Sequence, residues 1–183
     1  VRYPPDHKAE TRKQIVETAS TEFRAHGVNG VGVAQLMKSA GLTHGGFYAH
    51  FDSKDDLVAD AIDAAFDQTM AFLGEAASEA PQRQRKRAIL HAYMSKKHRD
   101  HTERGCAIAA LGTDVARLDA RTRRRFEARV DSLIRLIAGN ESQSAREDAI
   151  VMLATMVGGL VLARAVRSEA LSTEIVEAVQ ASR

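Results

Sequence analysis

Apolar residues along this chain recur at helical intervals, and almost no segment alternates apolar and polar positions as a half-buried strand would. Proline occurs only at positions 4, 5 and 81, which leaves most of the punctuation to glycine. An all-α fold is expected. Ile15, Ala19 and Phe23, with Val16 beside them, lie one turn apart and predict a helix over 6–26 that stops at Gly27. Val33, Leu36, Met37 and Ala40 share one stripe of a second helix, 33–40, broken by Gly41. Thr43 is placed to cap a short third helix that ends near Phe51, through a hydroxyl that accepts from the next turn's free amides. Ser53-Lys54-Asp55-Asp56 fits a capping box and opens a long helix, 53–74, towards Gly74. Beyond a polar stretch containing Pro81, further helices are predicted over 83–99, 106–117, 122–138, 145–166 and 172–181, with no internal repeat.

At 183 residues the chain suits one reading head and one larger body, divided here as 1–57 and 58–183. The single cysteine, Cys106, excludes an internal disulfide framework and a multi-cysteine zinc cluster, and points to a reducing compartment. The polar amino-terminal stretch, with Pro4 and Pro5, does not read as a secretory leader, so a cytoplasmic protein is expected. A net charge of only +2 means that bulk electrostatics would not nominate nucleic acid; local geometry must do so. Residues 149–163 are apolar apart from Thr155, yet fall short of the roughly 20 needed to span a membrane, with Glu147, Asp148, Arg164 and Arg167 close by. No membrane partner is expected. Such a helix is better buried by its own domain on one side and a second subunit on the other, and Gly158-Gly159 would let another helix approach closely.

Residues 33–51 supply the parts of a helix-turn-helix, in which one helix lies along the major groove while its neighbour braces it. Leu42, Phe47 and Phe51 would face a small core with Leu36 and Phe23. The free side then carries Thr43, His44, Gly45, Gly46, Tyr48 and His50. Each glycine inside a helix costs about 1 kcal/mol relative to alanine, so the pair needs a reason. Bare backbone would let the helix press against base edges or a thymine methyl; the plain alternative is that Gly45-Gly46 marks a loop. Tyr48 could donate to a phosphate, or be a half-buried aromatic, and His50 could be a solvated surface residue. Lys54 adds charge at the positive end of the next helix.

The run from Gly41 to Leu57, with its Phe47-Tyr48-Ala49-His50-Phe51 step and Ser53-Lys54-Asp55-Asp56-Leu57 helix entry, resembles the tetracycline-repressor-like (TetR/AcrR) regulators. The resemblance covers 8–57 in detail and the body only in helix count and length. It implies a homodimer that binds a palindromic operator in double-stranded DNA, with a carboxy-terminal domain holding a small-molecule inducer pocket. By position, Thr43, His44, Gly45, Gly46, Tyr48 and Lys54 would take the DNA contacts, and 145–166 with 172–181 the subunit interface. Many members begin the second helix with a capping threonine or serine; Gly32, with no side-chain oxygen, stands there in this chain, a departure that bears on one phosphate contact and not on the fold.

In the body, the basic residues between Arg83 and Arg104 read as a solvated helix face, interrupted only by Tyr93 as a stacking ring. His98, His101 and Cys106 match no strong zinc spacing and lack a fourth ligand, so no metal site is expected. Met70, Tyr93, Met94, Cys106, Met152 and Met156 are candidates for lining the inducer pocket, with ordinary core as the alternative. Cys106 follows Gly105 at a predicted helix start near Arg104, His98 and His101, a setting that favours thiolate and oxidant sensing; otherwise it is a small buried apolar residue. No serine-histidine-acid set, phosphate loop or paired carboxylate is present, so neither an enzyme nor a cofactor is expected. The chain reads as a dimeric repressor released by a small ligand or reactive species; the alternative is an all-helical binding protein or enzyme with a merely structural helix-turn-helix.

Overall fold

The amino-terminal periodicity produces a helix, α1 (Pro5–His26), in the computed structural model, which describes residues 5–140 and 142–182. The start of the polar amino-terminal stretch, including Pro4, lies outside them. Gly27 ends α1 with φ 76°, a conformation that bare backbone reaches without strain, and its N–H closes on the Phe23 carbonyl at 2.8 Å. Gly41, at φ 70°, does the same after α2 (Val33–Ser39). The following segment, His44–Ala49, is a 3-10 helix and not the α-helix expected. Thr43 does not cap it with its hydroxyl; its carbonyl accepts from Gly46 N–H at 3.0 Å instead. Two adjacent glycines are weak helix formers, and the run is too short for propensity to resist the tighter winding.

Ser53 caps α3 (Lys54–Glu79), accepting from the Asp56 amide at 3.1 Å, as the capping-box motif predicts. The helix runs five residues past Gly74, which sits harmlessly inside it: a Cβ there would meet only Leu136, at 4.0 Å. The predicted 83–99 helix is two, α4 (Arg85–Tyr93) and α5 (Lys96–Asp100), because Ser95 caps a fresh start by accepting from His98 N–H. Then come α6 (Ala107–Val115), α7 (Ala120–Ala138), α8 (Gln143–Ala165) and α9 (Glu169–Ala181), the last three capped by Asp119, Ser142 and Ser168. No strand occurs among the described residues.

One continuous apolar core holds these helices, from Ile15, Phe23 and Phe47 in the head through Phe66 to Tyr93, Leu133 and Leu160 in the body. α3 is its axis, flanked by α1, α4 and α7. An ionic ladder reinforces the α3–α7 seam: Arg121 pairs with Asp56 at 3.0 Å, Arg125 with Asp60 at 2.8 Å and also with Asp63, and Arg129 with Asp67. Asp60 also takes Arg12 from α1, so one carboxylate joins head and body. α8 is long and apolar enough, by length and composition, to cross a membrane, exceeding the apolar run read from sequence. A third of its most apolar window is buried within this chain. Gly159 packs against α9 of the same chain, where a Cβ would stand 2.6 Å from Val179; only Gly158 faces open space. Ile150, Val151, Val161 and Leu162 form an exposed apolar face on α8, with Leu171 of α9 also exposed.

Candidate nucleic-acid interface

The head presents its 3-10 segment outward. Phe47 turns inward and stacks on Phe51 at 5.5 Å, while Leu36 and Met37 of α2 close the core beneath them. Thr43, His44 and Gly45 are exposed, and Tyr48 is 64% exposed, its ring held edge-on between His44 and Phe47. Neither glycine is demanded by the fold. Both have ordinary negative φ; a Cβ on Gly45 would meet nothing within 4 Å, and one on Gly46 only ordinary contacts with Thr43 and Met37 at 3.6 and 3.7 Å. The pair leaves an open strip of backbone beside the Tyr48 ring.

Two of the expected residues are placed differently. Lys54 lies at the same edge, but it is half-buried and its ammonium is not free: it donates to the Val28 carbonyl at 2.7 Å and sits 5.8 Å over the Phe23 ring. It thereby ties the turn after α1 to the start of α3. His50 is not fully exposed at that edge. It is half-buried with Nδ1 enclosed and unbonded, and burial together with the charges of Lys8, Arg12 and His7 lowers its pKa. At the start of α2, Gly32 forms no side-chain cap, as its composition dictates.

The residues expected to line a pocket do not converge on one. Tyr93, Met94, Cys106 and Met156 are fully buried core, Met70 is half-buried, and Met152 borders a cleft of about 650 Å³ between α4, α8 and α9. The Cys106 side chain is inaccessible, so its exposure to oxidants, the premise of the sensing reading, is not met. Its thiol neighbours the Tyr93 hydroxyl, whose pKa burial and then that thiol raise well above 10.

A different cavity, of about 410 Å³, opens between α3 and the 95–105 segment, with Gln68, Phe72, Lys97, His98, Arg104 and Gly105 on its wall. His98 is fixed by two bonds: Nδ1 donates to the Tyr93 carbonyl at 2.6 Å, and Nε2 accepts from the Cys106 amide at 2.9 Å. That pattern requires the neutral ring, and burial pushes its pKa down to about 4. With both nitrogens committed, His98 has none left for a metal. Behind the wall lies Arg24 of α1, 2% exposed, donating to Gly105 O at 2.8 Å, Gln68 Oε1 at 2.6 Å and Ser20 O at 3.0 Å. Sequence reading passed over Arg24 and Gln68. The available signal was an arginine inside the buried stripe of α1, next to Phe23 and one turn from Ser20.

The profile of the bacterial regulatory proteins of the tetR family matches residues 15–61. Over 64 residues the chain is 38% identical to the HTH-type transcriptional regulator TtgR of Pseudomonas putida, covering 35% of this chain and 30% of that protein. It thus spans less than a third of that relative's length. A longer match, 26% identical over 153 residues, covers 80% of the chain and 74% of the HTH-type transcriptional repressor KstR2 of Rhodococcus jostii. A TetR transcriptional regulator from Chloroflexus aurantiacus superposes with a TM-score of 0.79 at 22% identity, over 96% of this chain and 94% of that one. Residues 15–61 are thus similar to the bacterial regulatory proteins of the tetR family, and nearly the whole chain shares the fold of a solved TetR transcriptional regulator.

Proposed function

We propose that this chain is a dimeric, sequence-specific DNA-binding regulator, a repressor that a small ligand releases from a palindromic operator. The observation that carries this reading is the exposed 3-10 segment, whose Gly45 and Gly46 the protein's own packing does not need. A constraint from outside the chain explains them. Base edges in the major groove require close approach, and any larger side chain would hold the segment away. Thr43, His44 and Tyr48 flank that strip as the polar contacts, Tyr48 towards phosphate. Lys54 serves it by holding the turn at Val28 against α3. The exposed face of α8 with α9 is the surface for the second subunit, since an apolar strip of this kind is otherwise an aggregation liability.

The Gly46→Leu variant tests this reading. On fragments selected from the source genome it loses specific binding while retaining its helical circular dichroism and thermal midpoint, because the space beside Gly46 is open in the free protein. A folded Gly46→Leu protein that binds those fragments like the parent removes the 3-10 segment from the interface.

A further inference from the structure

Two guanidinium groups, buried Arg24 and half-buried Arg164, bond to the backbone of the 98–105 segment without forming a salt bridge. Arg24 bonds only to neutral acceptors. Arg164 donates to the carbonyls of Arg99 and His98, at 3.0 and 2.6 Å. Among the described residues neither forms a salt bridge, although most other buried or half-buried arginines here do, Arg99, Arg125, Arg129 and Arg146 among them. Burying an unpaired charge is costly, and such a charge is normally matched or removed. Burial lowers both, Arg24 to about 10, and the nearby Glu103 carboxylate acts against that shift at each without forming an ion pair with either.

That segment is one wall of the 410 Å³ cavity, and the cavity's own rim adds Lys97 and Arg104. Its single carboxylate, Glu103, lies 3.2 Å from His101 and offsets only part of the charge. The rest of the lining is suited to an apolar body. Phe72 is 40% exposed, and its ring stands 6.0 Å from that of neutral His98. Gly105 lets the chain pass tightly here, since a Cβ on it would meet Arg164 at 2.6 Å and His98 at 3.1 Å.

We propose that this cavity binds a small organic anion, an aromatic carboxylate whose ring lies against Phe72 and whose charge answers the cationic wall, and that Arg24 conveys its binding to the head. The inference rests on the regulator reading for its consequence, though not for the binding itself. Gln68 and Gly105 border the cavity and also hold Arg24, so a carboxylate that accepts from the Gln68 amide N–H or from the guanidinium alters how α1 seats against α3. α1 ends within three residues at Gly27, and the next residue, Val28, is gripped by Lys54 and by Asp114 at 2.9 Å. Displacement of Arg24 is thus passed to the turn that precedes α2. A site selective for an anion follows from cations that have no ion-pair partner, which gain more from a charged ligand than from its neutral isostere.

The experiment uses the full chain and three paired probes: benzoate, phenylacetate and 1-naphthoate, each against its own amide. Calorimetry on the DNA-free protein is expected to show at least one acid binding tenfold or more tighter than its amide, with Phe72→Ala and Arg104→Ala each weakening it several-fold. Equal affinity for acid and amide, or no binding of any acid at millimolar concentration, overturns the anion site. Anisotropy on a bound genomic fragment then reads the coupling, a loss of DNA affinity of about 5- to 150-fold with the acid present. This loss shrinks in Gln68→Ala, an exposed substitution that removes only one acceptor of Arg24 and serves if Arg24→Gln fails to fold. Acid binding with unchanged DNA affinity overturns the role of Arg24. If the ligand-free protein binds no genomic fragment, the regulator reading fails while the calorimetric result stands.

Discussion

At the scale of single residues, the informative side chains are those whose chemistry is committed before any ligand arrives. His98 is one: donating to Tyr93 and accepting from Cys106, it must stay neutral, with its pKa lowered from 6.5 to about 4. The folded state therefore takes up this proton later than the unfolded chain does. The fold feels no penalty from it above pH 6.5, and loses stability as pH falls from there towards 4, by up to roughly 3 kcal/mol. Nuclear magnetic resonance of the imidazole should show His98 neutral at pH 5, alongside a urea midpoint that falls between pH 7 and 5; a His98 titrating near 6.5 contradicts the bonding described. What sequence could not convey about this residue is its partners. The spacing of His98, His101 and Cys106 reads as a potential ligand set or a reactive thiol, whereas folding spends His98 on two backbone groups and encloses Cys106. By the same token the exposure of Tyr48 and Gly45 was legible from their side of the segment, while the placement of Lys54 was not, since its carbonyl partner comes from residue 28.

At the scale of elements, periodicity located nearly every helix, because an apolar stripe and a capping residue are both local signals. Where local signals compete, the reading fails. Gly74 resembles a stop, but packing carries α3 through it, and Ser95 splits a run whose composition alone reads as continuous. The 3-10 winding of His44–Ala49 likewise has no signature beyond its glycines. The α3–α7 ladder was not visible either, although Asp56, Asp60, Asp63 and Asp67 do follow a helical spacing that their arginine partners match on α7. These pairs are partly buried and networked, so Arg125→Met should destabilise the protein by about 1–2 kcal/mol. The deficit should narrow as salt screens the parent's ladder. Urea unfolding at low and high salt measures both; an unchanged midpoint at low salt would show the ladder to be solvent decoration.

At the scale of the whole molecule, the fold class was legible and the division of labour is a matter of surfaces. The exposed apolar strip of α8, running through Val151, Val161 and Leu162, is left uncovered by the described residues, and on the reading proposed above a second subunit covers it. Leu162→Glu should shift the protein from dimer to monomer in analytical ultracentrifugation and weaken operator binding together with it; a parent that is already monomeric at micromolar concentration would remove the α8–α9 face from the account. The central claim, that paired heads read DNA sequence, is tested most directly by the affinity of the purified protein for a selected palindromic duplex and for a scrambled duplex of equal length, measured across a salt series. Two heads on half-sites about one helical turn apart predict a strong preference for the palindrome, and an affinity falling with salt by a log-log slope of about −0.9 for each phosphate neutralised. Equal affinity for the two duplexes at moderate salt, or no binding to either, would contradict it.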